Sequence, residues 1–149
     1  MTKRKSLPEN MPFDSIKNVY IQELERHSNE LIDELQEFIK KPIPSGESIA
    51  EITVFPDEYA DGYVSISLYW SGIKTSSCSF AKYIDDLPLI DVASYFDEFS
   101  IPDLQVNLVK QWFTESWWKA GGWVYPASFT LNGHDGFGED NEIYLTQSC

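Results

Sequence analysis

The strongest pattern in the chain is a helical stripe near its start. Between Asp14 and Lys41, apolar side chains recur every three or four residues and fall within about one quadrant of a helical wheel. Pro42 follows and cannot continue a helix. The pattern predicts one long helix over residues 14–41, preceded by a polar arm over residues 1–12. The stripe consists of Phe13, Ile16, Tyr20, Leu24, His27, Leu31, Leu35 and Phe38.

The period of the apolar positions then changes to two residues. Residues 48–55, 63–70 and 73–80 read as strands, the second of them with a regular alternation of apolar and polar side chains. The loop 56–62 and the turn 71–72 separate them. The three segments predict an antiparallel meander.

The last part of the chain combines two helices with a hairpin. Helical spacing predicts a short helix over residues 89–99 and a tryptophan-rich helix over residues 100–120. The Gly121–Gly122 pair is expected to end the second helix, because glycine tolerates a left-handed C-cap. Strands are predicted over residues 123–131 and 142–147.

These elements predict a single α+β domain over residues 1–149. Its antiparallel sheet, made of the three-strand meander and the C-terminal hairpin, packs against the long N-terminal helix and the tryptophan-rich helix. The chain of 149 residues has the usual length of one domain. Its hydrophobic content of 42% excludes a chain that stays disordered.

The charge of the chain restricts the class of its partners. Lys and Arg total 11 and Asp and Glu total 24, which gives a formal net charge of −13. Affinity for a phosphate backbone depends on basic side chains, so this composition argues against nucleic-acid binding. Most of the imbalance lies in residues 42–149, which hold only four of the basic residues. We therefore predict a basic protein as the partner.

Targeting signals and cysteines indicate the cytoplasm. The basic N-terminus is not followed by the apolar stretch of a signal peptide, and no run of about 18 apolar residues could span a membrane. Cys78 and Cys149 match neither a zinc-binding spacing nor a disulfide framework. We expect a reduced, soluble, cytoplasmic protein without membrane contact.

The predicted partner-binding residues are acidic side chains on loops, together with Trp118. Loop carboxylates can steer a basic partner, although they can also serve only to keep the surface solvated. Trp118 projects on the polar side of its helix, where it is either a binding anchor or covered by a loop or by the N-terminal arm. The acids are Asp57, Glu58, Asp61, Asp85, Asp86, Asp135, Glu139 and Asp140.

The sequence shows no catalytic constellation. His134 and Asp135 form the only pair that suggests acid–base chemistry, and catalysis would also need a positioned partner and a pocket. Cys78 lies in a strand pattern, and His27 lies in the apolar stripe, so both are expected to be structural. We therefore predict a protein that is not an enzyme and that uses no cofactor.

The glycine-rich segment 132–142 has enough oxygen atoms for a calcium ion, but the order of its residues does not match an EF-hand. Its glycines are explained by a sharp turn. We predict no metal site there.

The segment Trp117-Trp-Lys-Ala-Gly-Gly122, followed by Pro126 and by His134-Asp135, resembles a pattern in small uncharacterised bacterial proteins. Some small acidic α+β proteins of this kind are immunity partners in polymorphic-toxin and contact-dependent inhibition systems. The resemblance covers about the last fifth of the chain, and the rest is similar in size, acidity and element order. It implies a bacterial protein that binds a toxin, and it transfers no inhibitory residue.

The functional hypothesis is an immunity protein that neutralises a toxin, for example a nuclease, by covering its basic surface. Asp and Glu would take the place of phosphates in contacts with Arg and Lys. Two alternatives stay open. One is a regulatory or adaptor module, or a homodimer formed through the tryptophan-rich helix. The other is a small hydrolase or metal-dependent enzyme that uses His134 and Asp135.

Overall fold

Three helices and five strands make up the part of the chain that the structure, a computed structural model, describes. This part comprises residues 12–43, 46–55, 64–72, 78–81, 101–134 and 142–147. The helices are α1 (Phe13–Glu25), α2 (Ser28–Lys40) and α3 (Ile101–Lys119). The strands are β1 (Ile49–Phe55), β2 (Ser65–Trp70), β3 (Cys78–Phe80), β4 (Ser128–Gly133) and β5 (Ile143–Tyr144). The predicted helix over residues 89–99 lies outside the described residues.

The N-terminal helical segment is two helices, so the prediction of one long helix is wrong. His27 has φ −104° and ψ 8°, and its amide donates to the carbonyl oxygen of Leu24, three residues back, at 2.9 Å. Directly after this break, the indole of Trp112 donates to the hydroxyl of Ser28 at 3.0 Å. A straight helix over residues 14–41 would be about 40 Å long. The break lets α1 and α2 each pack against α3.

The sheet is mixed, with the strand order β3-β2-β1-β4-β5. The pairs β1–β2 and β2–β3 are antiparallel, which confirms the meander, and the antiparallel pair β4–β5 confirms the C-terminal hairpin. Strands β1 and β4 are parallel, so the prediction of a wholly antiparallel sheet is wrong at this pair. Two parallel neighbouring strands need a long crossover connection. The connection from β1 to β4 contains α3, which packs on both of these strands. The α+β class holds.

The segment after α3 turns before it enters the sheet. Gly121 has φ +89°, which confirms the predicted left-handed C-cap. Gly122–Val124 then forms a single 3-10 turn, and the amide of Tyr125 donates to the carbonyl oxygen of Gly122 at 2.9 Å. The predicted strand over residues 123–131 therefore begins only at Ser128.

The helices cover one face of the sheet. Alternate residues of β1, β2 and β4 are paired in register on this face and are buried, namely Ala50, Ile52, Val54, Ile66, Leu68, Trp70, Phe129 and Leu131. The opposite face carries polar side chains, including Glu51, whose carboxylate accepts a hydrogen bond from the side-chain Nδ2 of Asn132 at 3.1 Å. The burial of alternate residues in β2 confirms the face predicted from the alternation of residues 63–70.

An aromatic cluster lies between α3 and the sheet. Trp117 is fully buried, and its ring lies 5.4 Å from the ring of Phe129 and 5.8 Å from that of Tyr125, measured between centroids. The Trp117 indole donates to the carbonyl oxygen of Leu145 at 2.8 Å, so the polar atom of this buried side chain is satisfied. Burial raises the pKa of the Tyr125 phenol above 10.0. Trp112 is also buried, so both tryptophans belong to the core.

Two further hydrogen bonds connect elements that are distant in the chain. The side chain of Gln105 on α3 donates to the hydroxyl of Tyr20 on α1 at 3.1 Å, and both residues are buried. Glu34 on α2 accepts a hydrogen bond from the amide of Ala81, directly after β3, at 3.0 Å. Helices of the described part are all too short or too polar to cross a membrane.

Candidate functional site

Trp118 lies at the C-terminal end of α3 and is half-exposed, with 50% of its surface accessible. Together with Asn107, Gln111 and Thr114 it lines a groove of about 410 Å³, which Ile143 of β5 closes on the other side. The helical wheel predicts that these four helix residues share one side, and this is confirmed. We call this space the α3–β5 groove.

A second tryptophan lies beside Trp118. The rings of Trp118 and Trp123 meet edge to face, with centroids 6.5 Å apart and planes at 89°. Trp123 is 45% exposed, and the next residue, Val124, is 68% exposed; we call Trp118, Trp123 and Val124 together the tryptophan patch. The left-handed Gly121 makes the reversal between the two tryptophans possible, and its amide donates to the carbonyl oxygen of Trp118 at 3.0 Å.

Sequence reasoning missed Trp123, because it assigned this residue to a strand. A signal was available in the Gly121–Gly122 pair. Glycine after a helix indicates a sharp change of direction, which can bring the tryptophans before and after it together. The pattern alone could not show that both rings stay exposed.

The residues that line the α3–β5 groove include polar side chains of both charges. Lys110 is only 4% exposed, and its carbonyl oxygen accepts a hydrogen bond from the hydroxyl of Thr114 at 2.7 Å. Gln111 donates to a carboxylate oxygen of Glu115 at 3.5 Å on the groove's rim. Backbone and side-chain groups of a peptide could bond these polar atoms while an apolar side chain contacts Trp118.

A second groove lies between α1 and α3 and has a volume of about 270 Å³. Gln111 and Glu115 line both spaces and therefore form the ridge between them. The floor of this α1–α3 groove is apolar, and Glu25 on α1 is a second carboxylate on its wall. The floor consists of Ile21, Leu24, Leu108 and Trp112.

Eight of the nine predicted partner-binding residues lie outside the described residues. These are the loop acids Asp57, Glu58, Asp61, Asp85, Asp86, Asp135, Glu139 and Asp140. Their role stays a prediction. The ninth residue, Trp118, is exposed as the wheel requires, and its role as an anchor also stays a prediction.

The structure places His27, Cys78 and His134 at the ends of helices or strands. The ring of His134, at the end of β4, lies 4.5 Å from the ring of Phe55 between centroids, while Asp135 lies outside the described residues. His27 is buried, as predicted, with its Nδ1 atom 3.1 Å from a carboxylate oxygen of Glu30. Cys78 is half-buried at the start of β3. Within the described ranges, no three His, Cys, Asp or Glu side chains are grouped as metal ligands.

Comparisons of this chain with protein-family models, with curated proteins and with solved structures found no match.

Proposed function

We propose that this chain is a protein-binding domain whose partner is a basic protein. The observation that carries the proposal is the exposed edge-to-face pair of Trp118 and Trp123 at the end of α3. Tryptophan is enriched among the residues that dominate protein interfaces, since one ring buries a large area with little loss of side-chain entropy.

The geometry of the tryptophan patch supports this role. Each of its three side chains is about half or more exposed, whereas the neighbouring Trp117 is fully buried. The core therefore uses one of two consecutive tryptophans and leaves the other in contact with water. The patch adjoins the α3–β5 groove through Trp118, so an apolar surface meets a recess with hydrogen-bonding walls. Interfaces commonly combine these two features in an apolar centre with a polar rim.

The net charge of −13 supports a basic partner. Complementary charge accelerates association and disfavours partners of the same sign. The same charge acts against a homodimer through the tryptophan patch, because two copies would repel one another.

The specific form of the proposal is an immunity protein that neutralises a bacterial toxin in the cytoplasm. A nuclease toxin must carry a basic surface to hold its substrate. An acidic domain bound to that surface excludes the nucleic acid without any catalytic residue of its own. The loop acids and the tryptophan patch would divide the task, with carboxylates steering the encounter and the rings holding the complex.

The test begins with the purified chain as an immobilised bait. Proteins of the native source are bound at low salt and washed near 0.5 M salt, where exposed charge pairs are largely screened. A retained protein is identified, produced alone, and its dissociation constant measured against the wild-type chain, Trp118→Ala and Trp123→Ala. We expect each substitution to weaken binding by about tenfold or more. The control is Tyr144→Ala, which removes an exposed aromatic side chain from the opposite face of the sheet.

Each outcome decides a different part of the proposal. A basic toxin whose activity is blocked at one-to-one stoichiometry would support the immunity function. A basic partner without toxic activity would support the protein-binding role and contradict the immunity role. A molar mass of twice 17.1 kDa by light scattering, which falls to the monomer mass in Trp118→Ala, would contradict both roles and support the homodimer. An activity abolished by His134→Ala would favour the enzyme instead.

A further inference from the structure

The α1–α3 groove combines an apolar floor with acidic walls. Leu24, Leu108 and Trp112 form buried parts of the floor, with exposed fractions of 2%, 5% and 6%. Glu25 and Glu115 are exposed on the walls and come from different helices. A side chain that entered this space would therefore contact hydrocarbon along its length and carboxylates at its end.

The charge of this groove differs from that of its neighbour. The α3–β5 groove contains Lys110 as well as Glu115, whereas the described residues that line the α1–α3 groove include two acids and no base. Arg26, which follows Glu25 in the chain, directs its guanidinium to Glu23 at 2.6 Å. The two wall carboxylates thus give the α1–α3 groove a negative character that an incoming cation would complement.

The size of the groove restricts its occupant. A volume of about 270 Å³ lies below the range of roughly 300–1,000 Å³ that is usual for pockets of drug-sized ligands. The space is suited to one long side chain, since a basic side chain can lay its aliphatic stem on apolar surface while its head stays at the polar edge.

We propose that the α1–α3 groove binds an arginine side chain of the basic protein partner. The stem lies along Leu24 and Leu108 beside the indole of Trp112, and the guanidinium bonds the carboxylates of Glu25 and Glu115. Arginine fits this groove better than lysine because its planar head offers five donors, is more weakly hydrated and packs favourably on aromatic rings. This inference rests on the proposed function and assigns a specific contact to it.

The groove and the tryptophan patch belong to one surface of α3. Trp112 and Trp118 line the two adjoining spaces, and the ridge of Gln111 and Glu115 separates them. A partner that contacts Trp118 and extends across this ridge would therefore reach the α1–α3 groove. The arginine would fix the register of the complex, because its bonds to two carboxylates require one orientation.

The experiment uses N-acetyl-arginine amide as the probe and N-acetyl-citrulline amide as its uncharged counterpart of similar shape. Each is titrated into the full-length chain, and the indole N–H resonance of Trp112, assigned with Trp112→Phe, is followed by NMR. We expect a saturable shift with the arginine probe and little or none with the citrulline probe. Glu25→Gln combined with Glu115→Gln should weaken the binding of the arginine probe by at least about fivefold.

A control with the same change in charge is Asp33→Asn combined with Glu37→Gln, two exposed positions on α2 that do not line the groove. It should bind the probe within about twofold of the wild type, which separates a local effect from the net charge. Equal shifts with arginine and citrulline, or unchanged binding by the Glu25 and Glu115 double variant, would overturn the inference.

The same variants separate this inference from the proposed function. Once a partner is identified, loss of affinity in Trp118→Ala with full affinity in the Glu25 and Glu115 double variant would refute the arginine site alone. Binding of the arginine probe by a chain that retains no basic protein would refute the proposed function alone.

Discussion

Gly122 lies against the indole ring of Trp117, so closely that a methyl group on Gly122 would overlap the ring. The preceding Gly121 has open space around the position of a side chain, and it is required only because its φ is +89°. Glycine is therefore needed at these two consecutive positions for different physical reasons. The first gives the chain a left-handed residue, and the second lets the backbone approach the aromatic core.

Substituting Gly122→Ala should lower the free energy of unfolding by about 1–3 kcal/mol, because the methyl group displaces a buried ring. Gly121→Ala should lower it by about 1–2 kcal/mol through left-handed strain alone. Urea denaturation of the two variants with and without Trp117→Phe separates these causes. The effects of Gly122→Ala and Trp117→Phe should be less than additive, and those of Gly121→Ala and Trp117→Phe should add. Simple additivity in both pairs would contradict the packing explanation.

Trp117 and Trp118 should differ sharply in their effect on stability. Trp117→Ala removes a fully buried ring and its hydrogen bond to Leu145, and it should cost about 3–5 kcal/mol. Trp118→Ala removes a half-exposed ring and should stay within about 1 kcal/mol of the wild type. Thermal denaturation followed by circular dichroism measures both. A large loss from Trp118→Ala would show that the tryptophan patch is structural.

The hydrogen bond from the Ala81 amide to Glu34 should contribute measurably to stability. Ala81 has φ +56°, which is unfavourable for a residue with a side chain, and the carboxylate is part of what holds it there. Glu34→Ala should lower the free energy of unfolding by about 1–2 kcal/mol. Glu34→Gln keeps an oxygen acceptor and should lose less. Equal losses in the two variants would show that the oxygen acceptor is unimportant.

The protein should lose stability above about pH 10 through Tyr125. Burial raises the pKa of this phenol above its value of 10.0 in the unfolded chain. Between these two values the unfolded state releases a proton that the folded state keeps, so the free energy of unfolding falls as pH rises. The slope from this one group is at most about 1.4 kcal/mol per pH unit.

Denaturation at several pH values between 8 and 11, on the wild type and Tyr125→Phe, measures this slope. The variant cannot ionise at this position, so its stability should depend less on pH than that of the wild type. Parallel pH profiles of the two proteins would show that another group causes the loss of stability at alkaline pH.

Sequence patterns predicted the buried face of a helix or strand better than they predicted which elements pack or pair with one another. The alternation of β2 correctly predicted which of its side chains are buried, because a strand has a fixed period of two. Alternation carries no information about the direction of a neighbouring strand, so the parallel pairing of β1 with β4 was missed. The break at His27 was missed for a related reason. The apolar stripe continues through both helices, since both contact α3.

Only part of the candidate site was predicted, because a sequence pattern describes one element and not the packing between elements. Trp118 could be placed on the exposed side of its helix, because the wheel depends only on residues of that helix. The α1–α3 groove could not be predicted, because Glu25 and Glu115 are 90 positions apart and come to line one groove only through helix packing. Trp123 required knowledge of the turn at Gly121.

The parallel pair at the centre of the sheet affects how a nascent chain must fold. Ile52 on β1 pairs with Leu131 on β4, about 80 residues later in synthesis. While the ribosome still holds the intervening segment, β1 can join β2 and β3 on one side, but its other edge stays open. An open strand edge is a template for pairing with other chains. Before residues 128–133 emerge, this open edge of β1 is thus exposed to pairing with other chains, which favours aggregation.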